Sequence, residues 1–223
     1  MSISVIIPAL NDAATLSTTL NCLVEQPNDF EVIVVDGATP GNALNLVEGR
    51  ARVVSKPGVP WGSRLNAGAT AAKGEILLFL WPGGCLSADA LPAIERNLEL
   101  LPQTIGGSFH VKFNENTLFT RWLTQFLKWW RYQGRYYGPG GIFIRKQVFL
   151  ALGGFQPYDL LEDYDLARRM ETYGPTLYLP ETIIASPRKF QGRKLTAALT
   201  WLIMQSLFML GVAPNRLARW YRL

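Results

Sequence analysis

Residues 75–85 read Glu75-Ile76-Leu77-Leu78-Phe79-Leu80-Trp81-Pro82-Gly83-Gly84-Cys85. The five consecutive apolar residues 76–80 do not suit a strand with one wet face, and the Trp-Pro-Gly-Gly that follows cannot continue one. Such a run belongs in the middle of a parallel sheet covered on both sides. Working outward, residues 3–8 and 31–36 repeat the pattern with β-branched residues, and 51–55 is a shorter version of it. Between them, residues 13–24 carry Leu16, Leu20 and Leu23 on one face, with Asn11 or Asp12 available as a cap. Residues 43–50 and 63–72 also read as helices. Strands alternating with crossover helices define an open, mostly parallel α/β sheet.

The second half changes character. Strands are expected at 107–113 and 141–145, and helices at 118–131 and 162–173. Pro and Gly punctuate this half without forming a linker, so one domain is expected, with a nucleotide-side half over 1–100 and a second half over 101–223. A chain of 223 residues that is 48% hydrophobic and 17% charged can bury roughly 70% of its unfolded surface. It needs no metal or disulfide framework to fold. Cys22 and Cys85 are too few for such a framework and lack metal-ligand spacing, which favours a reducing, cytoplasmic setting. A single histidine, His110, excludes multi-histidine zinc chemistry. Residues 1–9 lack the basic start and long apolar run of a signal peptide, and no run of eighteen apolar residues appears.

Charge is uneven. The net charge is +5, yet no acidic residue follows Glu181, while Arg188, Lys189, Arg193, Lys194, Arg216, Arg219 and Arg222 do. A basic end on a nearly neutral body implies an anionic partner such as ligand phosphates or a membrane surface, and no motif accompanies it that would point to nucleic acid. Phe119, Trp122, Leu123, Phe126, Leu127 and Trp130 recur at helical spacing, as expected of packing against the sheet ahead of membrane contact. Residues 195–211 are apolar nearly all round but short for a span. They suit an amphipathic C-terminal helix lying in an anionic interface at the inner face of a membrane, or a homodimer seam.

In open α/β sheets, ligands bind beyond the carboxyl ends of the strands where strand order reverses. The residues there are Pro8 to Asp12, then Asp36 and Gly37, then Trp81 to Cys85. Neither a dinucleotide-binding G-x-G-x-x-G nor a P-loop is present. Asp36 can accept from a nucleoside or cap its own turn, and position alone leaves both open.

Read in order, Ser4-Val5-Ile6-Ile7-Pro8-Ala9-Leu10-Asn11, Val32-Ile33-Val34-Val35-Asp36-Gly37, Leu65-Asn66-Ala67-Gly68-Ala69 and Gly74 to Leu80 resemble landmarks of family 2 glycosyltransferases with the GT-A fold. Leu152-Gly153-Gly154-Phe155, Glu162-Asp163-Tyr164-Asp165-Leu166-Ala167-Arg168-Arg169 and Ser186-Pro187-Arg188-Lys189-Phe190 extend the resemblance over essentially the whole chain. It is nearest to a small single-domain bacterial branch associated with radical SAM and selenoprotein gene clusters. The resemblance implies a mixed, mostly parallel sheet flanked by helices and an inverting transfer from a UDP- or GDP-sugar to an acceptor hydroxyl. It makes Pro8, Ala9 and Asp36 the nucleoside-binding positions. Asp163, paired with Glu162, is then the general base, and a lipid-linked acceptor is compatible with it.

The departures from the family pattern are specific. A Mg²⁺ or Mn²⁺ ion is usual in the family, but Trp81-Pro82-Gly83-Gly84-Cys85 stands where a metal-holding aspartate is expected. Thr39-Pro40-Gly41 and Tyr137-Gly138-Pro139-Gly140 replace two further acids. No metal ligands are assigned on this reading. Fixed cations can stabilise a leaving diphosphate instead. Arg188 and Lys189 fall at basic positions of the family, and Arg64 is a further candidate, its alternative being a solvated surface charge. Gly83 and Gly84 are expected to present backbone N–H groups to a phosphate. A non-catalytic relative that binds or assembles is the alternative to the enzyme.

Overall fold

A computed structural model describes the chain apart from residues 11–12, 28, 39–46, 48, 187–193 and 222–223. Strand β1 (Ile3–Ala9) is buried along its whole length and lies between two parallel neighbours, β2 (Phe30–Asp36) and β4 (Ile76–Phe79). Strand β3 (Arg52–Ser55) pairs in parallel with β2 at the edge and is the least buried of the four. Beyond β4 the sheet turns antiparallel through β7 (Ile142–Arg145) and β6 (Gly106–Phe113), and it ends with β8 (Thr176–Ala185) and the two-residue β5 (Cys85–Leu86). The order is β3-β2-β1-β4-β7-β6-β8-β5. The expected strands 3–8, 31–36, 51–55, 75–80, 107–113 and 141–145 are all present, the central apolar run at the middle of the sheet.

Alternation along the strands builds two cores. Ile3, Val5, Ile7 and Leu78 point to one face, with α1 (Ala13–Val24) and α3 (Ala90–Leu100). Ile6, Leu77 and Phe79 point to the other, with α2 (Trp61–Ala71) and α6 (Glu162–Tyr173). A third cluster joins Trp130 of α4 (Leu118–Tyr132), Tyr137, Leu161 and Tyr164 to Leu217 of α8 (Pro214–Tyr221). Trp201, Met204 and Phe208 of α7 (Lys194–Met209) pack against it. Helix α5 (Lys146–Ala151) follows β7.

Helices α5 and α8 were not expected, nor were three further elements. Strand β8 contains Pro180, which argues against an interior strand. The sheet absorbs it because the pairing jumps from Phe109↔Leu179 to His110↔Thr182, so Pro180 and Glu181 occupy a bulge and owe the ladder no N–H. Helix α3 buries Leu91, Ile94 and Leu98 at helical spacing, a period present in the sequence but obscured by Pro92. Strand β5 is too short to read. The expected helix at 43–50 lies largely outside the described residues.

The cysteine reading is corrected. Cys22 on α1 and Cys85 on β5 form a disulfide, their Cα atoms 5.5 Å apart, so cysteine usage gives no support to a reducing compartment. The aromatic stripe is also only partly core. Leu123 and Trp130 are buried, whereas Trp122 is half exposed. No helix among the described residues is long and apolar enough to cross a membrane.

Candidate active site

Strand order reverses at β1, with β2 and β3 on one side and β4 on the other, and the carboxyl ends of strands at such a switch point are where open α/β sheets bind ligands. Pro8 and Ala9 end β1 buried, and the Ala9 carbonyl accepts from Gly37 N–H at 2.9 Å. These two residues shape the strand end through their backbone.

Asp36 ends β2 and is 3% exposed. Its Oδ1 accepts from Ala38 N–H at 2.9 Å, so one oxygen caps the turn in the Asx manner. Arg64 of α2 comes to the same turn. It is buried, its guanidinium 5.4 Å from the Trp61 ring centroid, and a Cβ built on Gly37 would lie 2.5 Å from its Cζ. Only glycine at position 37 leaves room for the cation. The solvated-surface alternative for Arg64 is therefore overturned: the charge is carried into the end of β2.

The loop after β4 differs from expectation. Gly83 N–H donates to Thr19 Oγ1 at 2.9 Å and to the Thr15 carbonyl at 3.2 Å, and Gly84 N–H donates to the Trp81 carbonyl at 3.0 Å. Both donors expected to cradle a phosphate are engaged within the protein, so Gly83 and Gly84 form no such cradle here. The loop is pinned to α1 twice, by these bonds and by the Cys22–Cys85 disulfide one residue further on.

Asp163 is linked to this loop through Gly138, which lies against Trp81. Its Oδ2 accepts from Gly138 N–H at 2.7 Å and its Oδ1 from Tyr164 N–H at 2.7 Å. These two backbone donors orient the carboxylate. The Trp81 indole lies so close to Gly138 that a side chain there would overlap its ring. Trp81 itself is half-buried. Thus Gly138 brings together the indole after β4 and the carboxylate at the start of α6. The residue before the pair, Leu161, has φ 63°, the one positive φ outside glycine among the described residues, and it is 5% exposed. A buried side chain held in the left-handed region costs of order 1 kcal/mol or more and survives where the surroundings enforce it. Glu162 is buried at the head of the same helix.

The remaining motifs hold that helix in position. Asn66 donates through Nδ2 to the Phe155 carbonyl (2.8 Å) and accepts from Phe155 N–H through Oδ1 (2.9 Å). Arg169 pairs with Asp165 at 2.7 Å and donates to the carbonyls of Leu152 and Gly154. Tyr137 stacks on Tyr164 with centroids 5.2 Å apart and donates to Gln205 of α7 at 2.5 Å. Burial, and then the neighbouring Tyr164 and Asp163, push its phenol well above the usual tyrosine range, offsetting the Trp130 indole hydrogen bond to its oxygen. It is a neutral donor at every ordinary pH. The scaffolding roles of Asn66 and Arg169 could be found only as parts of motifs. The Trp81–Gly138 contact had no signal in the sequence.

Arg188 and Lys189 lie outside the described residues. The oxygen-donor set for a cation is thin: Trp81, Pro82, Gly83 and Gly84 bring no carboxylate after β4. Among the described residues no three of His, Cys, Asp or Glu come together as metal ligands. These residues do not fit a metal clamp of the usual kind, and no step below runs through one.

The sheet reverses order at β1, with Asp36 buried at the end of β2 and Asp163 anchored at the start of α6. The family model for glycosyl transferase family 2 matches residues 4–153, and the chain belongs to that family. Among solved structures, TarS of S. aureus (residues 1–349) is similar with a TM-score of 0.64 and 19% identity, over 85% of this chain and 62% of that one. The same fragment in complex with UDP-GlcNAc gives 0.62 and 17%, over 83% and 58%. The mannosyltransferase PcManGT from Pyrobaculum calidifontis, in complex with GDP-Man and Mn²⁺, gives 0.62 and 19%, over 82% and 56%. The chain thus spans roughly six-tenths of the solved structures it resembles, and these likenesses establish the GT-A fold. Comparison with curated proteins by sequence returns no match.

Proposed function

We propose that the protein is an inverting glycosyltransferase that moves a sugar from a nucleotide-sugar donor to an acceptor hydroxyl, with Asp163 as general base. The observation that carries this reading is the anchored Asp163 carboxylate, fixed by Gly138 N–H beside the loop that ends the central strand. The acceptor oxygen attacks the anomeric carbon, the bond from that carbon to the diphosphate oxygen breaks, and the electron pair leaves with the diphosphate. The acceptor proton passes to Asp163 as the new bond forms. Asp36 and Arg64, brought together at the end of β2, receive the nucleoside side of the donor. Arg64, with Arg188 and Lys189, opposes the charge on the departing diphosphate. The similar structures that hold UDP-GlcNAc and GDP-Man support a nucleotide-sugar donor.

A non-catalytic relative that acts in binding or assembly is the second reading, favoured by the indole and glycines that stand after β4 in place of an acid. Calorimetric titration with UDP, GDP and their sugar conjugates, each with Mn²⁺ and with chelator, tests the pocket. Binding of one nucleotide sugar, unaffected by chelator, is expected. Absence of binding to any of them removes the transferase reading and leaves only an assembly role for the fold.

A further inference from the structure

The outer faces of α4 and α7 carry apolar side chains that the fold does not use. On α4, Leu118 is 85% exposed, Trp122 51% and Trp129 53%. Spaced by four and seven residues, they form one stripe along the helix. Phe126 closes the gap, stacked on Trp122 at 5.4 Å and facing Trp201 of α7 at 6.1 Å. On α7 itself Leu199 and Ile203 are 57% and 54% exposed, and Leu210, just past its end, is 81% exposed. They lie opposite the side that packs Trp201, Met204 and Phe208 inward. A contiguous surface of this kind on a chain otherwise well packed marks a place of contact.

Charge identifies the partner. Helices α4, α7 and α8, which build this face, contain no aspartate or glutamate. Arg121 and Lys128 lie on α4 seven residues apart, one row round from the tryptophans, and α8 adds exposed Arg216 and Arg219. A second copy of this chain seated across a two-fold axis would set these cations against their own equivalents, with no carboxylate on either side to pair them. An anionic bilayer surface supplies the missing charge. Exposed indoles suit its headgroup layer, where one edge of the ring is wet and the rest is apolar. We infer that α4, α7 and α8 form a docking surface for an anionic lipid bilayer, with Trp122 and Trp129 inserted at headgroup depth and Arg121 and Lys128 against lipid phosphates. Beneath this surface the same helices pack on the cluster holding Tyr137, Leu161 and Tyr164. The inference does not depend on the transferase reading.

The test uses the full chain with phosphatidylcholine vesicles, with and without phosphatidylglycerol, followed by co-sedimentation and tryptophan emission. Partition to the phosphatidylglycerol vesicles only, with a blue shift and weakening in high salt, is expected. The pair W122A/W129A lowers partition by about tenfold or more, and the pair R121E/K128E abolishes the preference for anionic vesicles while circular dichroism stays native. Failure of the wild-type chain to partition to either vesicle overturns the inference. So does a dimer in light scattering that W122A/W129A converts to monomer without changing vesicle binding, since the face then belongs to a second copy.

Discussion

The Asp163 carboxylate accepts a hydrogen bond from the backbone of Gly138 at 2.7 Å. The same glycine is covered by the indole of Trp81. Two segments about eighty residues apart in sequence therefore share one backbone unit, and the position of the proposed base depends on the absence of a side chain there.

Gly138→Ala places a methyl group inside the Trp81 ring. Overpacking of this kind costs about 1–3 kcal/mol, so the melting temperature falls and turnover falls with it. Pairing G138A with W81A relieves the overlap, and a double-mutant cycle should recover more than half of the loss. Additivity of the two changes in thermal denaturation would show that the contact is not the cause.

Arg64→Met keeps the stem of the side chain and removes its charge from the turn after Asp36. A charge-assisted contact to the donor is worth about 1.5–3 kcal/mol, so nucleotide-sugar affinity drops by roughly tenfold or more in calorimetry. Unchanged affinity would assign Arg64 to the fold alone.

Reduction of Cys22–Cys85 opens a loop of 63 residues. In the chain-entropy account such a cross-link stabilises by about 4 kcal/mol, and a domain of this size loses about 10 °C in melting temperature. Scanning calorimetry with and without a thiol reductant measures this. The bond also fastens the loop after β4 to α1, so donor affinity should weaken in the reduced protein.

Glu31 supplies a pH dependence. Burial works to raise its pKa but is outweighed by hydrogen bonds from Ser4 and from the backbone of Lys73 and Gly74, with the Lys73 charge assisting, so the net shift is downward. A depressed carboxylate stabilises the fold above its unfolded value of 4.5 and loses that contribution as pH falls through the folded value. In denaturation series from neutral pH downward, Glu31→Gln is expected to flatten the acid-side slope. An identical slope would contradict the assignment.

The strands that decide the fold were legible because burial on both faces leaves a continuous apolar run, and 76–80 is such a run. Strand β8 was hidden by Pro180, which is harmless only because a bulge receives it, and that depends on the partner strand β6. The site was legible in part. Asp36 and Asp163 stand at strand and helix ends that a one-dimensional pattern can mark, whereas the burial of Arg64 depends on Gly37 across the fold. The engagement of Gly83 by Thr15 and Thr19 likewise arises from packing of α1 against a loop more than sixty residues away in sequence. A glycine pair reads the same whether its N–H groups are open or taken. The disulfide was missed for a related reason: two cysteines have no spacing rule, and only the docking of α1 on β5 brings them together.

The most direct measurement is single-turnover transfer by Asp163→Asn, with donor affinity determined on the same sample. Asparagine keeps the bond from Gly138 N–H through its single side-chain oxygen, gives up the one from Tyr164 N–H, and cannot remove a proton. Transfer is expected to fall by about a hundredfold or more while nucleotide-sugar binding is retained. Transfer at the wild-type rate in this variant would contradict the assignment of Asp163 as the base.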